Sequence, residues 1–459
     1  MITQAIFKNY DIRGVYGTEL TDEIAYKIGR ALVVFLNAPE VVVGHDMRTS
    51  SSKLNEALVR GIMEQGANVV DIGLCSTPML SFAVQSYMAG VMITASHNPS
   101  EYNGFKLCKE KAMPIGEING MLEIKRLVLE NTFKNPAKKG SYKKIDVLVP
   151  FLRFSLSFLS TQRPFKIVVD AGNGMGGFTY GELMNLLPAN IQLVPMFFEP
   201  DGTFPNHEAN PLKSETLKAL QKKVIEQEAD LGVGLDGDED RIIFVDNEGN
   251  VVHSDHTVSL LLQDVLPEKP EGTVLYNVVQ SRIVPEMIRS YGGIPIMVKV
   301  GHTNIKHYMR EYGACFAGDH SGHYYNPEQG NTENTMIILF RLLNYLSTKE
   351  STFAQLVAPF RAEYAKLEET NFEADDPKEI VDNLRALYGK NARNVSNIDG
   401  VRIDFDDWWF NVRPSNTESL LRLNLEARNA DVLAQKFEEL KSHIMREKKQ
   451  EEVRVGEMV

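Results

Sequence analysis

Short apolar runs rich in Val, Ile and Leu alternate with longer helical patterns along most of the chain, and this alternation restricts the fold more than any other feature. It predicts βα units built on parallel or mixed sheets. Three blocks open in the same way, with a strand that runs into a polar or glycine-containing loop, in the letters VVVGHDMR, KIVVDAGNG and TVLYNVVQS. The pattern predicts three related α/β units, although the letters of the blocks differ widely.

Within these blocks, strands are predicted over 40–44, 68–72, 91–94, 166–170, 191–195, 230–235, 241–245, 273–278, 296–300 and 314–317. Helices are predicted over 52–65, 78–88, 151–159, 214–227, 282–291, 303–312 and 333–346. The alternation of the two kinds of element supports an α/β class for this part of the chain.

The C-terminal block has a different pattern, typical of a smaller α+β unit. We expect a helix over 377–388, strands around 401–405, 408–412 and 420–425, a last helix over 430–448, and frayed residues over 451–459. The fold class is therefore three related mixed α/β domains plus a smaller C-terminal α+β domain. A chain of 459 residues has room for domains over 1–145, 146–252, 253–362 and 363–459.

Composition excludes several classes of protein. Lys and Arg number 49 and Asp and Glu number 61, which gives a formal net charge of −12. An acidic surface repels nucleic-acid phosphates, so no nucleic-acid partner is expected, whereas a small anion in a locally basic cleft is compatible. No run of about 18 apolar residues predicts a membrane span, and no secretory signal pattern opens the chain. The sparse cysteines, Cys75, Cys108 and Cys315, favour a reducing cytoplasm.

Three carboxylates at alternate positions lie between two apolar runs that predict strands. They are Asp236, Asp238 and Asp240, called the aspartate triad below. In a tight loop these side chains converge on one point, and converging carboxylates repel unless a cation lies among them. Oxygen ligands suit Mg²⁺, and the adjacent Arg241 suits a phosphate ligand. A solvated acidic turn is the alternative interpretation.

Ser96 follows a predicted strand in the letters TASHNP, and strand ends are where α/β proteins place ligands. His97 beside it is a candidate base, although no nucleophile-elbow motif surrounds the serine. Asn98 and Pro99 also favour an ordinary turn. A reactive serine and a plain turn are both open at this point.

A second polar loop follows the strand ACFA and carries Asp319, His320, Ser321 and His323. Such groups can bind sugar hydroxyls or move protons. His302 ends the preceding predicted strand, so we expect it at the same rim. Metal binding by this loop is less favoured, because no second His or Cys stands at ligand spacing.

Two further loops allow alternative interpretations. A candidate phosphate nest between the last strands contains Arg413, Ser415, Asn416 and Thr417. These residue types also make ordinary hairpin turns. Gly172, Gly174 and Gly177 match G-x-G-x-x-G after a strand, and Glu199 stands near the place of a ribose-binding acid. A dinucleotide site and a glycine-rich turn both fit this pattern.

Taken in order, the TASHNP, DGDEDR, GDHSGH and RPSNT segments resemble the α-D-phosphohexomutase superfamily, over a stretch from Tyr10 to Glu426. The chain looks most like bacterial phosphomannomutases and phosphoglucomutases. The resemblance implies three α/β domains and a smaller fourth domain around a central cleft. It implies a Mg²⁺-dependent enzyme that interconverts hexose 6-phosphate and hexose 1-phosphate through a 1,6-bisphosphate, with a hexose 1,6-bisphosphate as activator.

The resemblance also implies roles for individual residues. Ser96 is expected to be a phosphoserine that, with the aspartate triad, binds the metal. The implied catalytic residues are Ser96, Arg13, Lys106, His302 and His323. The implied substrate-binding residues are Tyr10, Arg241, Asp319, Ser321, Arg413, Ser415, Asn416 and Thr417. Which group moves the proton, and whether the chain is a monomer or a dimer, stay open.

Three departures from the family pattern bear on the sugar. His320 stands where phosphoglucosamine mutases usually carry Gln, Asp319 where the family usually has Glu, and Val279 where dual-specificity bacterial enzymes carry Lys. Mannose is the expected sugar, with glucose and glucosamine as alternatives. Competing hypotheses are a non-catalytic sugar-phosphate-binding protein and a nicotinamide dehydrogenase built on the Gly172 loop.

Overall fold

The computed structural model describes residues 4–414 and 420–456, with side chains up to residue 445. The first sheet has the strand order β1-β5-β4-β2-β3-β6, in which β4, β2, β3 and β6 are parallel and β5 runs antiparallel to both of its neighbours, β4 and β1. Its elements are β1 (Ile12–Val15), α1 (Asp22–Leu36), β2 (Glu40–His45), α2 (Ser51–Glu64), β3 (Asn68–Leu74), α3 (Thr77–Val84), β4 (Ala89–Ile93), β5 (Tyr102–Lys109), α4 (Met121–Glu130) and β6 (Tyr142–Lys144).

The second sheet has the order β11-β10-β9-β7-β8, with β9, β7 and β8 parallel. Its elements are α5 (Leu148–Leu156), β7 (Phe165–Asp170), α6 (Met175–Leu183), β8 (Ile191–Met196), α7 (Ser214–Glu226), β9 (Leu231–Leu235), β10 (Ile242–Asp246) and β11 (Val251–Val252). Strand β9 is buried along its whole length, as expected for a strand covered on both faces.

The third sheet has the order β13-β12-β14-β15-β16, with β13, β12 and β14 parallel. Its elements are α8 (Ser254–Glu268), β12 (Thr273–Asn277), α9 (Ile283–Ser290), β13 (Ile294–Val298), α10 (His302–Tyr312), β14 (Phe316–Gly318), β15 (Tyr324–Asn326), β16 (Thr332–Glu333), α11 (Thr335–Ser347) and α12 (Phe353–Glu363).

The three sheets share one arrangement. The orders β3-β2-β4-β5, β8-β7-β9-β10 and β13-β12-β14-β15 are equivalent, and in each the last two strands form an antiparallel hairpin. The three hairpin loops are residues 94–101, 236–241 and 319–323, called the serine, aspartate and histidine loops below. The prediction of three related mixed α/β units is therefore confirmed, and three motifs found in the sequence occupy the same position in each unit.

The C-terminal domain is built on an antiparallel sheet. Its order is β17-β22-β21-β20-β19, and β18 also pairs with β22. The elements are β17 (Ala365–Lys366), β18 (Thr370–Glu373), α13 (Pro377–Tyr388), β19 (Asn394–Ser396), β20 (Val401–Asp404), β21 (Trp408–Pro414), β22 (Leu420–Ala427) and α14 (Ala430–Gly456). This confirms the α+β prediction, while the domain limits at residues 145, 252 and 362 stay predictions.

Buried apolar side chains tie the first three domains together. One continuous cluster includes Val84, Phe151, Ile167, Leu261 and Met336, which come from the elements of all three sheets. The C-terminal domain packs around a separate cluster that lies within its own elements. The shared cluster holds the three hairpin loops in a fixed relation, because close-packed interiors resist deformation.

Some predicted element limits are wrong. Helix α3 ends at Val84 rather than 88, where the side chain of Gln85 donates to Ser81 O at 3.0 Å and to Gln329 O at 3.1 Å as the chain turns. Residues from 451 do not fray as predicted, since α14 continues to Gly456, while 457–459 lie outside the described residues. Helices α1, α4, α6, α8 and α12 were missed. Among the described helices, none combines the length and apolarity needed to cross a bilayer.

Candidate active site

The three hairpin loops meet, and side chains from different domains touch there. The hydroxyl of Ser96 in the serine loop donates to Asp236 Oδ2 in the aspartate loop at 2.9 Å. Asp240 Oδ1 lies 3.4 Å from Nε2 of His323 in the histidine loop. The corresponding ends of the three related sheets therefore form one site, where open α/β sheets place their ligands.

Ser96 is held in an unusual conformation. Its φ is 51°, its exposed fraction is 2%, and its backbone N–H donates to Thr94 Oγ1 at 2.9 Å. The serine and aspartate loops pack so closely that a Cβ at Gly237 would lie 2.4 Å from Ser96 O. Glycine is required at this position because any side chain would push the two loops apart.

His97 lies beside the serine hydroxyl, with its Nδ1 3.1 Å from Ser96 Oγ. Burial, together with the positive charges of Arg241 and Arg13, lowers the pKa of His97 well below its ordinary value. Because the Ser96 hydroxyl donates its proton to Asp236, His97 does not accept that proton. The neutral imidazole of His97 instead helps to orient the Ser96 hydroxyl.

Arg48 shapes the serine loop and was missed by sequence analysis. Its guanidinium is fully buried and donates to carbonyl oxygens of Ser96 at 2.9 Å, Asn98 at 2.6 Å, Pro99 at 2.7 Å and Tyr102 at 2.9 Å. Its Nε lies 3.3 Å from Asp46 Oδ2. An arginine after strand β2 looks like part of a solvated turn in the sequence, and only the packing of the loop shows that it is internal.

The aspartate triad is buried, and its members offer oxygen atoms that lie within 4.8 Å of one another. In the described part of the chain Asp238 Oδ1 has no hydrogen-bond partner, and Asp240 Oδ1 has the long 3.4 Å contact to His323 Nε2 in place of one. Buried carboxylate oxygens without partners are costly unless a cation binds them. Hard oxygen donors at this spacing fit Mg²⁺, with the oxygen of Ser96 beside them.

Lys106 on β5 neutralises part of this charge. Its Nζ lies 2.6 Å from Asp238 Oδ2 and 2.5 Å from Asp240 Oδ2. Burial alone would lower the pKa of Lys106, but the carboxylates raise it well above its ordinary value. Thr77, the first residue of α3, was also missed by sequence analysis. Its hydroxyl donates to the Asp238 carboxylate, and its backbone N–H donates to the Asp238 carbonyl oxygen. The positive end of that helix adds to the stabilisation of the carboxylates.

Glu239, the fourth acid of the aspartate loop, is used differently. Its carboxylate accepts hydrogen bonds from Thr179 at 2.6 Å and Thr335 at 3.2 Å, in helices α6 and α11. Burial raises the pKa of Glu239 to about 7. This side chain therefore ties the aspartate loop to the helices around it.

Two imidazoles lie side by side across the site. His323 and His302 stack with ring centroids 6.0 Å apart, and His323 Nδ1 lies 3.0 Å from Asp319 Oδ2. Burial alone would lower the pKa of His323, but Asp319 and Asp240 raise it to about 10. Burial and nearby lysines lower the pKa of His302 well below its ordinary value. The two neighbouring imidazoles thus have pKa values shifted in opposite directions.

The segment around β1 also reaches the site. Arg13 Nη1 donates to Asn98 Oδ1 of the serine loop at 2.7 Å. The Tyr10 ring meets His302 edge-on, with centroids 6.0 Å apart. Arg241 lies on the aspartate loop, where its backbone N–H donates to an oxygen of the triad at 3.2 Å. The structure therefore brings these sequence-predicted residues to the same place as Ser96.

The C-terminal domain contributes Arg413, whose Nη2 donates to Glu369 Oε2 at 3.0 Å. Arg422 and Asn424 donate to the same carboxylate. The charges of Glu369 and Arg413 act on the pKa of His320, which burial lowers, so this patch faces the histidine loop. The other residues of the predicted phosphate nest, Ser415, Asn416 and Thr417, lie outside the described residues.

The glycine-rich loop after β7 is occupied by protein. A Cβ at Gly174 would lie 2.8 Å from Gly237 O, and a Cβ at Gly177 would lie 1.9 Å from Phe198 O. Backbone therefore fills the space into which a pyrophosphate would have to fit. The loop instead supports the aspartate loop, since Met175 N–H donates to Gly237 O at 2.9 Å. This geometry does not support the dinucleotide interpretation.

Comparison with known families agrees with this geometry. The phosphoglucomutase/phosphomannomutase models match in order: α/β/α domain I over 4–135, domain II over 150–249, domain III over 253–364 and the C-terminal domain over 369–442. The chain belongs to the phosphoglucomutase/phosphomannomutase family. The resemblance found from the ordered motifs is thereby confirmed.

Relatives of this family member match it over nearly their whole length. A protein named "Phosphohexose mutases" from Xanthomonas campestris pv. campestris (strain B100) is 38% identical over 450 residues, which is 97% of this chain and 100% of the relative. The phosphomannomutase of Methanocaldococcus jannaschii is 36% identical over 443 residues, 96% of this chain and 97% of the relative. A phosphoglucomutase/phosphomannomutase family protein from Burkholderia thailandensis has a TM-score of 0.89 at 31% identity, over 96% of this chain and 97% of that one.

Proposed function

We propose that this member of the phosphoglucomutase/phosphomannomutase family is a phosphohexomutase that interconverts hexose 6-phosphate and hexose 1-phosphate. The observation that carries the proposal is the contact of the Ser96 hydroxyl with Asp236 at 2.9 Å. Lys106 and Arg241 flank the same carboxylates. Phosphoryl transfer depends on positioning and charge neutralisation, and this cluster supplies both. The names of the full-length relatives, phosphohexose mutases and phosphomannomutase, support the same activity.

In the proposed reaction, Ser96 Oγ carries a phosphoryl group. The bond from phosphorus to Ser96 Oγ breaks as a sugar hydroxyl oxygen bonds to phosphorus, which gives a 1,6-bisphosphate. The reverse transfer of the other phosphoryl group restores the phosphoserine and releases the isomeric monophosphate. His302 and His323 are the candidates for moving the hydroxyl proton, because both lie at the site and their pKa values are shifted in opposite directions. Lys106 and Arg13 stabilise the charge on the transferring group.

The aspartate triad and the oxygen of Ser96 would hold Mg²⁺. The buried carboxylate oxygens without partners fit this role. When bound, the ion offsets the negative charge of the phosphoserine. A hexose 1,6-bisphosphate is the proposed activator, because it can phosphorylate Ser96 directly.

Substrate contacts are proposed for Tyr10, Arg241, Ser321, Arg413, Ser415, Asn416 and Thr417. The non-reacting phosphate binds the last four, since guanidinium and hydroxyl groups with loop N–H groups favour phosphate. Mannose is the preferred sugar, as the name of the phosphomannomutase relative suggests. The cytoplasm is the proposed location.

The test is phosphorus NMR of the purified protein with Mg²⁺ and a trace of glucose 1,6-bisphosphate. Mannose 1-phosphate, glucose 1-phosphate and glucosamine 1-phosphate are supplied in separate samples. A 6-phosphate signal is expected, fastest with mannose 1-phosphate. If no 6-phosphate signal appears in any of the three samples, although the protein is folded and phosphorylated, the proposal is overturned and a non-catalytic sugar-phosphate-binding protein is favoured.

A matched pair of variants tests the role of the serine. Ser96→Ala is expected to abolish turnover, while Ser100→Ala, in the same loop, is expected to retain it. Among the described residues, the Ser100 hydroxyl donates to Glu101 at 3.4 Å, on the surface of the loop. Turnover that survives in Ser96→Ala would contradict the phosphoserine mechanism.

A further inference from the structure

The carboxylate of Asp319 has no capacity left for a sugar. Its Oδ1 accepts the backbone N–H of Ser321 at 2.8 Å and of His323 at 3.2 Å. Its Oδ2 lies 3.0 Å from His323 Nδ1 and accepts the Tyr325 hydroxyl at 3.3 Å. A carboxylate offers about four acceptor sites, and the protein uses two at each oxygen. With an exposed fraction of 3%, Asp319 could bind a sugar hydroxyl only by giving up one of these partners.

The short side chain explains this arrangement. The Asp319 carboxylate accepts a hydrogen bond from the backbone N–H two residues further along the chain. Aspartate favours the turn closed by this bond, whereas the longer glutamate forms it less readily. Burial alone would raise the pKa of Asp319, but His323 lowers it below its ordinary value. Asp319 therefore fixes the histidine loop and the His323 ring.

The next two residues, His320 and Ser321, remain half-buried at the rim of the loop. His320 Nε2 lies 3.3 Å from Ser321 Oγ, and His320 Nδ1 lies 3.2 Å from Asn277 Nδ2. Asn277 is fully buried at the end of β12. A continuous chain of polar contacts thus runs from the third sheet to the serine hydroxyl.

The direction of these hydrogen bonds follows from the backbone. Asn277 Oδ1 accepts the N–H of Val279 at 3.1 Å, so its other atom must be the amide nitrogen, which donates. His320 Nδ1 therefore accepts, and the proton of the neutral imidazole is on Nε2. Nε2–H donates to Ser321 Oγ, so the hydroxyl proton of Ser321 is available to donate to a ligand.

We propose that Asn277, His320 and Ser321 form a relay that makes Ser321 a hydrogen-bond donor to one sugar oxygen, and that Asp319 positions His323 without touching the sugar. The proposal rests on the proposed function for the identity of the ligand. Asn277 and His320 are positioning residues, and Ser321 makes the contact. Discrimination among hexose phosphates in this chain then depends on His320, the residue that departs from the phosphoglucosamine mutase pattern.

The test measures binding in the Ser96→Ala background, where no turnover disturbs equilibrium. Dissociation constants are determined calorimetrically for glucose 1-phosphate and mannose 1-phosphate. They are also determined for the glucose 1-phosphate analogues in which each free ring hydroxyl in turn is replaced by hydrogen (deoxy) or by fluorine (deoxyfluoro). Ser321 as a donor predicts one position at which the deoxy analogue binds about tenfold more weakly, since about 1.4 kcal/mol is tenfold. The fluoro analogue at that position is expected to bind better than the deoxy analogue, because fluorine accepts a hydrogen bond but cannot donate one.

Variants separate the two roles. His320→Phe is expected to abolish the deoxy penalty, and His320→Gln to retain it, because the amide can accept from Asn277 and donate to Ser321. Asp319→Asn, in the otherwise native enzyme, is expected to lower kcat for all sugars alike and, in the Ser96→Ala background, to keep the deoxy penalty. His307→Ala, a histidine on the exposed side of α10, is the control.

Two results would overturn the relay. One is a deoxy penalty that disappears in Asp319→Asn but survives in His320→Phe. The other is an equal loss of binding for the deoxy and fluoro analogues. Failure of the proposed function has a different signature, since native protein would then lack turnover with every hexose phosphate while the binding results stand.

Discussion

Replacing Arg48 tests whether one buried guanidinium holds the serine loop in place. Arg48→Met keeps the length and apolar bulk of the side chain but removes the guanidinium donor from the carbonyl oxygens of Ser96, Asn98, Pro99 and Tyr102, of which Pro99 O keeps the Tyr102 N–H at 3.1 Å. Asp46 Oδ2 also loses its ion-pair partner at 3.3 Å, while Asp46 Oδ1 keeps the Ser51 hydroxyl. These groups are enclosed by Phe204, whose ring lies 5.1 Å from the guanidinium carbon.

The magnitude follows from this burial. A hydrogen bond from a charged donor contributes about 1.5–3 kcal/mol, and removing one partner of a buried charge network costs about 3–5 kcal/mol after the loop relaxes. We expect Arg48→Met to lower the free energy of unfolding by about 3–5 kcal/mol. Arg48→Lys is expected to lose less, because an ammonium keeps the charge but has three donors for these acceptors.

Urea denaturation of the full chain measures the loss of unfolding free energy. Phosphorylation of Ser96 by glucose 1,6-bisphosphate tests whether the serine loop keeps its conformation. The matched control is Arg60→Met on the exposed face of α2, which is expected to change the free energy of unfolding by less than about 1 kcal/mol. If Arg48→Met unfolds at the same urea concentration as Arg60→Met, the carbonyl contacts contribute nothing and the argument is wrong.

Three further predictions follow from other contacts. The ammonium of Lys106 compensates the negative charge of the triad, so Lys106→Met is expected to lower the melting temperature in the absence of Mg²⁺. Added Mg²⁺ is expected to raise the melting temperature of this variant more than that of the native protein, and equal increases would contradict the prediction. Burial alone would lower the pKa of His207, but Asp170 raises it above 6.5, so this ion pair stabilises the fold at low pH and its contribution is lost as pH rises. His207→Gln is therefore expected to lower the free energy of unfolding at pH 6 but not at pH 9. A difference in stability that does not change with pH would refute this prediction. Gly237→Ala is expected to reduce turnover about 100-fold by displacing the serine loop, whereas Gly181→Ala, whose added Cβ meets nothing nearer than 3.8 Å, should not, as steady-state kinetics of both variants will show.

The sequence predicted the site where local pattern and chemistry coincide. The triad at alternate positions between two apolar strands indicated a tight acidic loop, and Ser96 at a strand end indicated a ligand-binding loop. The expectation that Ser96 is exposed there is wrong, because the aspartate loop packs against it and leaves it 2% exposed. The structure places Asp236 against Ser96 and Lys106 against the rest of the triad. Strand and helix patterns succeeded for the same reason, since apolar periodicity is set by which face is buried.

Residues that act through long-range contacts could not be predicted in this way. Arg48 meets its carbonyl partners about 50 positions further along the chain, and Thr77 meets Asp238 161 positions away. In the sequence, Glu239 resembles a fourth acid of the aspartate loop, yet its carboxylate accepts hydrogen bonds from two threonines of separate helices. No spacing in the sequence distinguishes these side chains from ordinary turn residues.

The sequence by itself determined the order of the elements, the three related units and the chemical types of the loop residues, because these depend on contacts between near neighbours. Only the tertiary structure decided which loops meet, that the G-x-G-x-x-G loop is filled by backbone, and that Asp319 is fully engaged within its own loop. The physical reason is that a polar group's role depends on which partners remain available to it once the domains have packed. That availability is a property of the folded chain.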